Sequence, residues 1–122
     1  MERIKEFTRE RKYLVYIDFS GLKSYEEFMA FMERATATLS KYPRQSVYTI
    51  TNIQNIILDT SIKRLFIPYI ERNTPYVKYG AIIGLDGVKK LMVDMMIKIT
   101  NRKNLIAAMT MEQAIKKMFA LG

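Results

Sequence analysis

The chain has 122 residues, 49% apolar and 26% charged, which fits one compact domain over 1–122 and excludes a largely disordered chain. It has no Cys and no His, which removes disulfides, thiol chemistry and the commonest general base and metal ligand. No apolar run nears the roughly 20 residues that span a bilayer, and the opening MERIKEFTRERKY has no apolar stretch of a signal peptide, so a cytoplasmic location is expected.

The net charge of +8 is unevenly placed. Residues 1–59 hold 9 Lys/Arg against 8 Asp/Glu, whereas residues 60–122 hold 11 against 4. A basic half attracts anions: nucleic acid, acidic protein surfaces, anionic head groups. Here the cations fall in separate pairs, Lys63-Arg64, Lys89-Lys90, Arg102-Lys103 and Lys116-Lys117, each on a different element, as on a solvated surface.

In chain order, Arg3 to Phe7 forms a short arm that turns through Arg9-Glu10-Arg11 into a strand over 12–19, KYLVYIDF. Beyond Gly21, Ser24 with Glu27 makes a capping box for a helix from Tyr25 to Lys41. Its buried stripe is Phe28, Phe31, Met32, Ala35 and Leu39, and Pro43 closes it. A second strand, 46–51, leads through a polar stretch to Asp59 or Thr60 as the cap of a helix over 61–73. Ile62, Leu65, Phe66 and Tyr69 share one face of that helix, and Pro68 should kink it or begin a second. Segment 76–85 reads as an interior strand around Ala81-Ile82-Ile83. Asp86 caps a helix over 87–101, a last strand occupies 104–109, and Thr110 with Gln113 opens a helix over 111–121 that buries Ala114, Ile115, Met118 and Leu121. This alternation predicts an α/β sheet with crossover helices.

In this order the chain resembles the STAS domain family, typified by bacterial anti-sigma factor antagonists. The likeness rests on four features. They are the opening strand with Gly21 and the helix from Ser24; strand 46–51 followed by Asp59-Thr60-Ser61; strand 78–85 followed by Gly87-Val88-Lys89-Lys90-Leu91-Met92; and the terminal helix entered through Thr110-Met111-Glu112-Gln113-Ala114. The resemblance covers residues 12–120. It implies a SpoIIAA-like fold: a four- to five-stranded mixed, mostly parallel sheet with about four helices. It also implies a regulatory protein–protein interaction module. The family carries Asp-Ser-Ser-Gly where this chain has Asp59-Thr60-Ser61-Ile62, and its second Ser is phosphorylated in the antagonists. Ser61 and Thr60 are therefore the phosphorylation candidates. The resemblance further implies that helices 61–73 and 87–101 lie side by side on one sheet face.

The residues also supply candidate surfaces. A phosphate at the 59–64 helix start would meet free amides, the positive dipole end, Lys63 and Arg64, although the same residue types serve as ordinary caps. The same start suits an anionic small molecule or lipid head group as an alternative ligand. In helix 87–101, the spacing assigns Val88, Leu91, Met92, Met95 and Ile99 to the core and leaves Val93 and Ile97 outside, with Met96 between and Lys90, Asp94 and Lys98 flanking. The expected partner surface is then Asp59, Lys63, Arg64, Val93, Met96 and Ile97, used for partner docking or self-association.

Tyr48, Tyr69, Tyr76 and Tyr79 beside the basic pairs raise nucleic-acid binding, but no RNP, KH or helix-turn-helix signature accompanies them. The scattered carboxylates give no metal or acid/base spacing, and Gly84-Leu85-Asp86-Gly87 is no phosphate loop. No enzyme activity and no cofactor are expected.

Overall fold

The computed structural model describes residues 2–101 and 103–122; Arg102 of the Arg102-Lys103 pair lies outside them. Five strands and four helices alternate: β1 (Ile4–Arg9), β2 (Lys12–Asp18), α1 (Tyr25–Leu39), β3 (Val47–Asn52), α2 (Thr60–Asn73), β4 (Val77–Ile83), α3 (Gly87–Thr100), β5 (Leu105–Ala107) and α4 (Met111–Leu121). The strands form one sheet in chain order, β1 antiparallel to β2 and the rest parallel. This is the mixed, mostly parallel α/β sheet with four helices that the sequence predicts.

The β1–β2 connection is tight because Glu10 and Arg11 both take positive φ, 52° and 65°, a twist that suits a two-residue hairpin loop. Right-handed crossovers between strands laid down in order put their helices on one face. Accordingly α1, α2 and α3 share one apolar cluster with Val15, Ile17, Val47 and Ile82, while α4 alone covers Leu14, Tyr48, Ile50, Ala81 and Ile83 on the other. The central strands β3 and β4 are covered on both faces, which fits the all-apolar run Ala81-Ile82-Ile83.

The capping box of α1 is complete: Glu27 N donates to Ser24 Oγ at 3.1 Å and Ser24 N to Glu27 Oε1 at 2.9 Å. All five residues expected on its inner stripe are buried. At α4, Thr110 accepts from Gln113 N, but Gln113 Oε1 accepts from Met109 N rather than from Thr110, so the reciprocal half reaches one residue further back. Leu121, expected inside, is exposed at the last turn. Pro68 neither splits nor ends α2. It sits at an exposed position, so the carbonyl it leaves unbonded at Arg64 falls on the solvent side.

Among the described residues no helix is long and apolar enough to cross a membrane.

Candidate functional site

The start of α2 is built as the sequence suggests. Asp59 is the N-cap, its Oδ1 accepting from Ile62 N at 2.9 Å. Thr60 and Ser61 are both exposed on the first turn, Lys63 is half-buried and Arg64 exposed. Ile62 is buried and pins this turn to the core. The Asp59 carboxylate already occupies one of the free amides that an anion would meet there.

Helix α3 is rotated relative to the expectation. Val93 and Met96 are 2% and 3% exposed and belong to the core, with Met92 and Ile97 packed against it. Val88, Leu91, Met95 and Ile99 are 70%, 68%, 53% and 61% exposed. Val93 and Met96 are therefore no part of an accessible partner surface, and four of the five residues assigned to the core, all but Met92, form the outward apolar stripe.

Lys89 lies on the inward face. Asp86 caps α3 by accepting from Lys89 N at 2.9 Å, and the Lys89 ammonium turns inward to Ile53 O at 3.3 Å and Asp86 Oδ2 at 3.5 Å. Lys89, Val93, Met96 and Thr100 follow one another at steps of four, three and four, so they share a face. A lysine stem lies along the core with its head on a backbone carbonyl, and the wider apolar stripe faces solvent. The caps hold Asp86 charged: the backbone hydrogen bond from Lys89 is the main reason its carboxyl lies below its ordinary value.

α2 and α3 pack against each other on the same sheet face, as the family resemblance implied. Between them and the sheet lies a cavity of about 60 Å³, lined among others by Leu58, Phe66, Tyr69, Asn73, Val93 and Met96. Burial raises the Tyr69 phenol well above its ordinary value, so it stays neutral. Asn73 is buried; its Nδ2 donates to Tyr69 O at 3.0 Å and Thr36 Oγ1 at 3.2 Å, and its Oδ1 has no partner. Asn73 reads in the sequence as a helix stop, and nothing in that local pattern marks it as part of a cavity.

The tyrosines placed beside the basic pairs serve the interior first: Tyr48 and Tyr69 are buried, and Tyr76 and Tyr79 are half-buried. Among the described residues no group of three carboxylates is placed to hold a metal ion.

No family model matches the chain, and no match was found among curated proteins.

Proposed function

We propose that the chain is a non-catalytic regulatory module that docks a protein partner across α3, in the manner implied by its resemblance to anti-sigma factor antagonists. One observation carries this reading: Val88, Leu91, Met95 and Ile99 form an outward stripe at helical spacing. A folded helix does not need such a stripe on its solvent side, and contiguous exposed apolar surface marks contact sites. Covering these exposed side chains contributes about 4–8 kcal/mol from this side, at about 1.5–3 kcal/mol per fully buried side chain scaled to their exposure. Association costs about 4–15 kcal/mol, so charge must help.

Charge selects the partner class. The outward side of α3 carries Lys90, Asp94 and Lys98, with Asp94 already held by Lys90 at 3.5 Å. Two copies of a chain with charge +8 repel. An amphipathic helix with acidic flanks supplies both the apolar face and the opposite charge. Ser61 and Thr60, at the start of the neighbouring helix, are the modification sites of this reading. A phosphate there adds negative charge beside Lys63 and Arg64 and opposes an acidic partner.

The test is retention of a partner from native-host lysate by the wild type and by a Leu91→Glu, Met95→Glu double variant. Wild-type retention should fall with salt and be lost in the folded variant, and the free chain should sediment as a monomer. Equal retention by both proteins sinks the reading.

A further inference from the structure

Strands β3, β4 and β5 are neighbours and run parallel, so the connections that leave them emerge at one end of the sheet. These connections touch. Lys89 reaches Ile53 O at 3.3 Å, a Cβ on Gly84 would sit 2.6 Å from Gln54 N, and Gly84 and Leu85 line one cleft with Ala108 and Met109. Each connection, or the first turn after it, carries one bare apolar side chain. These are Ile57, Val88 and Met109, and among the described residues they are the three most exposed large hydrophobics, at 80%, 70% and 83%. Single exposed aliphatics are ordinary, but here the three barest share one end. Local structure gives no reason for them. An apolar residue just before a cap can fold back on its helix, yet Met109, just before Thr110, stands out in solvent.

The charge around these tips is basic. Residues 53–64, 84–91 and 108–117 hold six Lys/Arg against three Asp/Glu. All three carboxylates are already engaged: Asp59 and Asp86 cap α2 and α3, and Glu112 meets Arg9 at 3.1 Å. A protein partner would need a separate pocket for each tip. A bilayer interface takes single apolar side chains without one, and attraction to anionic head groups supplies the second signal that peripheral attachment needs. We propose that this end of the sheet docks reversibly on an anionic lipid bilayer, with Ile57, Val88 and Met109 inserted at the head-group level. The surface is distinct from partner docking, which runs along the length of α3; only Val88 belongs to both.

Co-sedimentation with vesicles tests the proposal. The full chain should pellet with phosphatidylcholine vesicles containing about 30% phosphatidylserine, and bind at least about tenfold more weakly to phosphatidylcholine alone. Added salt should release it. An Ile57→Ser, Met109→Ser variant loses two tips and gains no charge. Both positions are exposed, so it should fold, and its vesicle affinity should fall by about tenfold or more. A Met95→Ser, Ile99→Ser variant, altered only along the α3 stripe, should bind vesicles like the wild type. The proposal is overturned if the wild type does not pellet with anionic vesicles or pellets equally with neutral ones. It is also overturned if Ile57→Ser, Met109→Ser binds like the wild type, or if Met95→Ser, Ile99→Ser loses as much. Vesicle binding and partner retention are separate readouts, so the failure of one leaves the other standing.

Discussion

The same core cluster is closed in two different ways. On the α1–α2 side it is closed by rings. Phe19 lies at the hub, with centroids at 4.8 Å to Phe31, 5.0 Å to Phe66, 5.7 Å to Tyr69 and 6.0 Å to Phe28. On the α3 side there is no ring at all: α3 offers valine, isoleucine, leucine and three methionines, and it buries two side chains where α1 buries five. Rings in edge and tilted contact lock one arrangement, while thioethers adapt to several. The comparison teaches a division of labour. The α1–α2 side closes the core with rings, and the α3 side leaves an interior gap and an outer apolar stripe.

The largest effect should come from removing the hub. Phe19→Ala empties a fully buried site and should cost about 3–5 kcal/mol in denaturant unfolding. Leu91→Ala, on the outer stripe, should stay within about 0.5 kcal/mol. A Leu91→Ala loss comparable to that of Phe19→Ala would break the comparison, because it would make the stripe part of the core.

Gly84 lies between the two sides, at the end of β4 before α3. Its φ is +80°, and a Cβ there would sit 2.5 Å from Asn52 Oδ1 and 2.6 Å from Gln54 N. The Asn52 side chain is not free to move aside, because Oδ1 accepts from Gln54 N and Nδ2 donates to Tyr16 OH. Gly84→Ala should therefore destabilise by more than about 1 kcal/mol in denaturant unfolding. A variant as stable as the wild type would show that this corner yields.

How much of this was legible depended on whether one residue pattern had one reading. α1 was legible to the residue on its inner stripe, because Phe28, Phe31, Met32, Ala35 and Leu39 repeat at helical spacing and most residues across the helix are charged or small. α3 was legible as a helix but not in its rotation. Its sequence GVKKLMVDMMIKIT carries apolar residues on both sides, and the side that turns in is the one whose Lys89 bonds Ile53 O, 36 residues away. No periodicity contains that bond. The α2 cap could be read locally, since Asp59 and the amide it accepts from are three residues apart. The cavity could not, because Thr49, Asn73 and Val93 come together only through two crossovers.

The two sides should also differ in how they respond to the loss of a cap. Ser24→Ala removes the acceptor for Glu27 N, and α1 is tied to the core by five side chains, so the whole molecule should lose about 1 kcal/mol. Asp86→Ala removes the equivalent acceptor for Lys89 N and its ion pair. With two buried anchors, α3 should open locally: amide exchange from Lys90 to Lys98 should quicken while the global midpoint moves less than in Ser24→Ala. Equal midpoint losses with no local change in exchange would mean that α3 unfolds only with the rest.

The smallest effect is in pH, and it sharpens the same contrast. Glu27 Oε1 accepts from Ser24 N at 2.9 Å and Lys23 N at 3.3 Å, and these backbone donors, Ser24 first, hold its carboxyl below the ordinary 4.5. The folded value lies below the unfolded one, so the charged cap contributes in full above about 4.5, and its contribution is lost as pH falls through the folded value. Denaturant midpoints should therefore decline as pH falls below about 4.5. Glu27→Gln keeps an acceptor for Ser24 N but no charge, and should flatten part of that decline. Asp86 is lowered in the same direction by Lys89 N, so Asp86→Asn should remove the acid-induced quickening of exchange in α3 and leave the global slope nearly as it was. A Glu27→Gln slope identical to the wild type would take the charge of the α1 cap out of the stability of the fold, and would leave the rings and the number of buried anchors to distinguish the two sides.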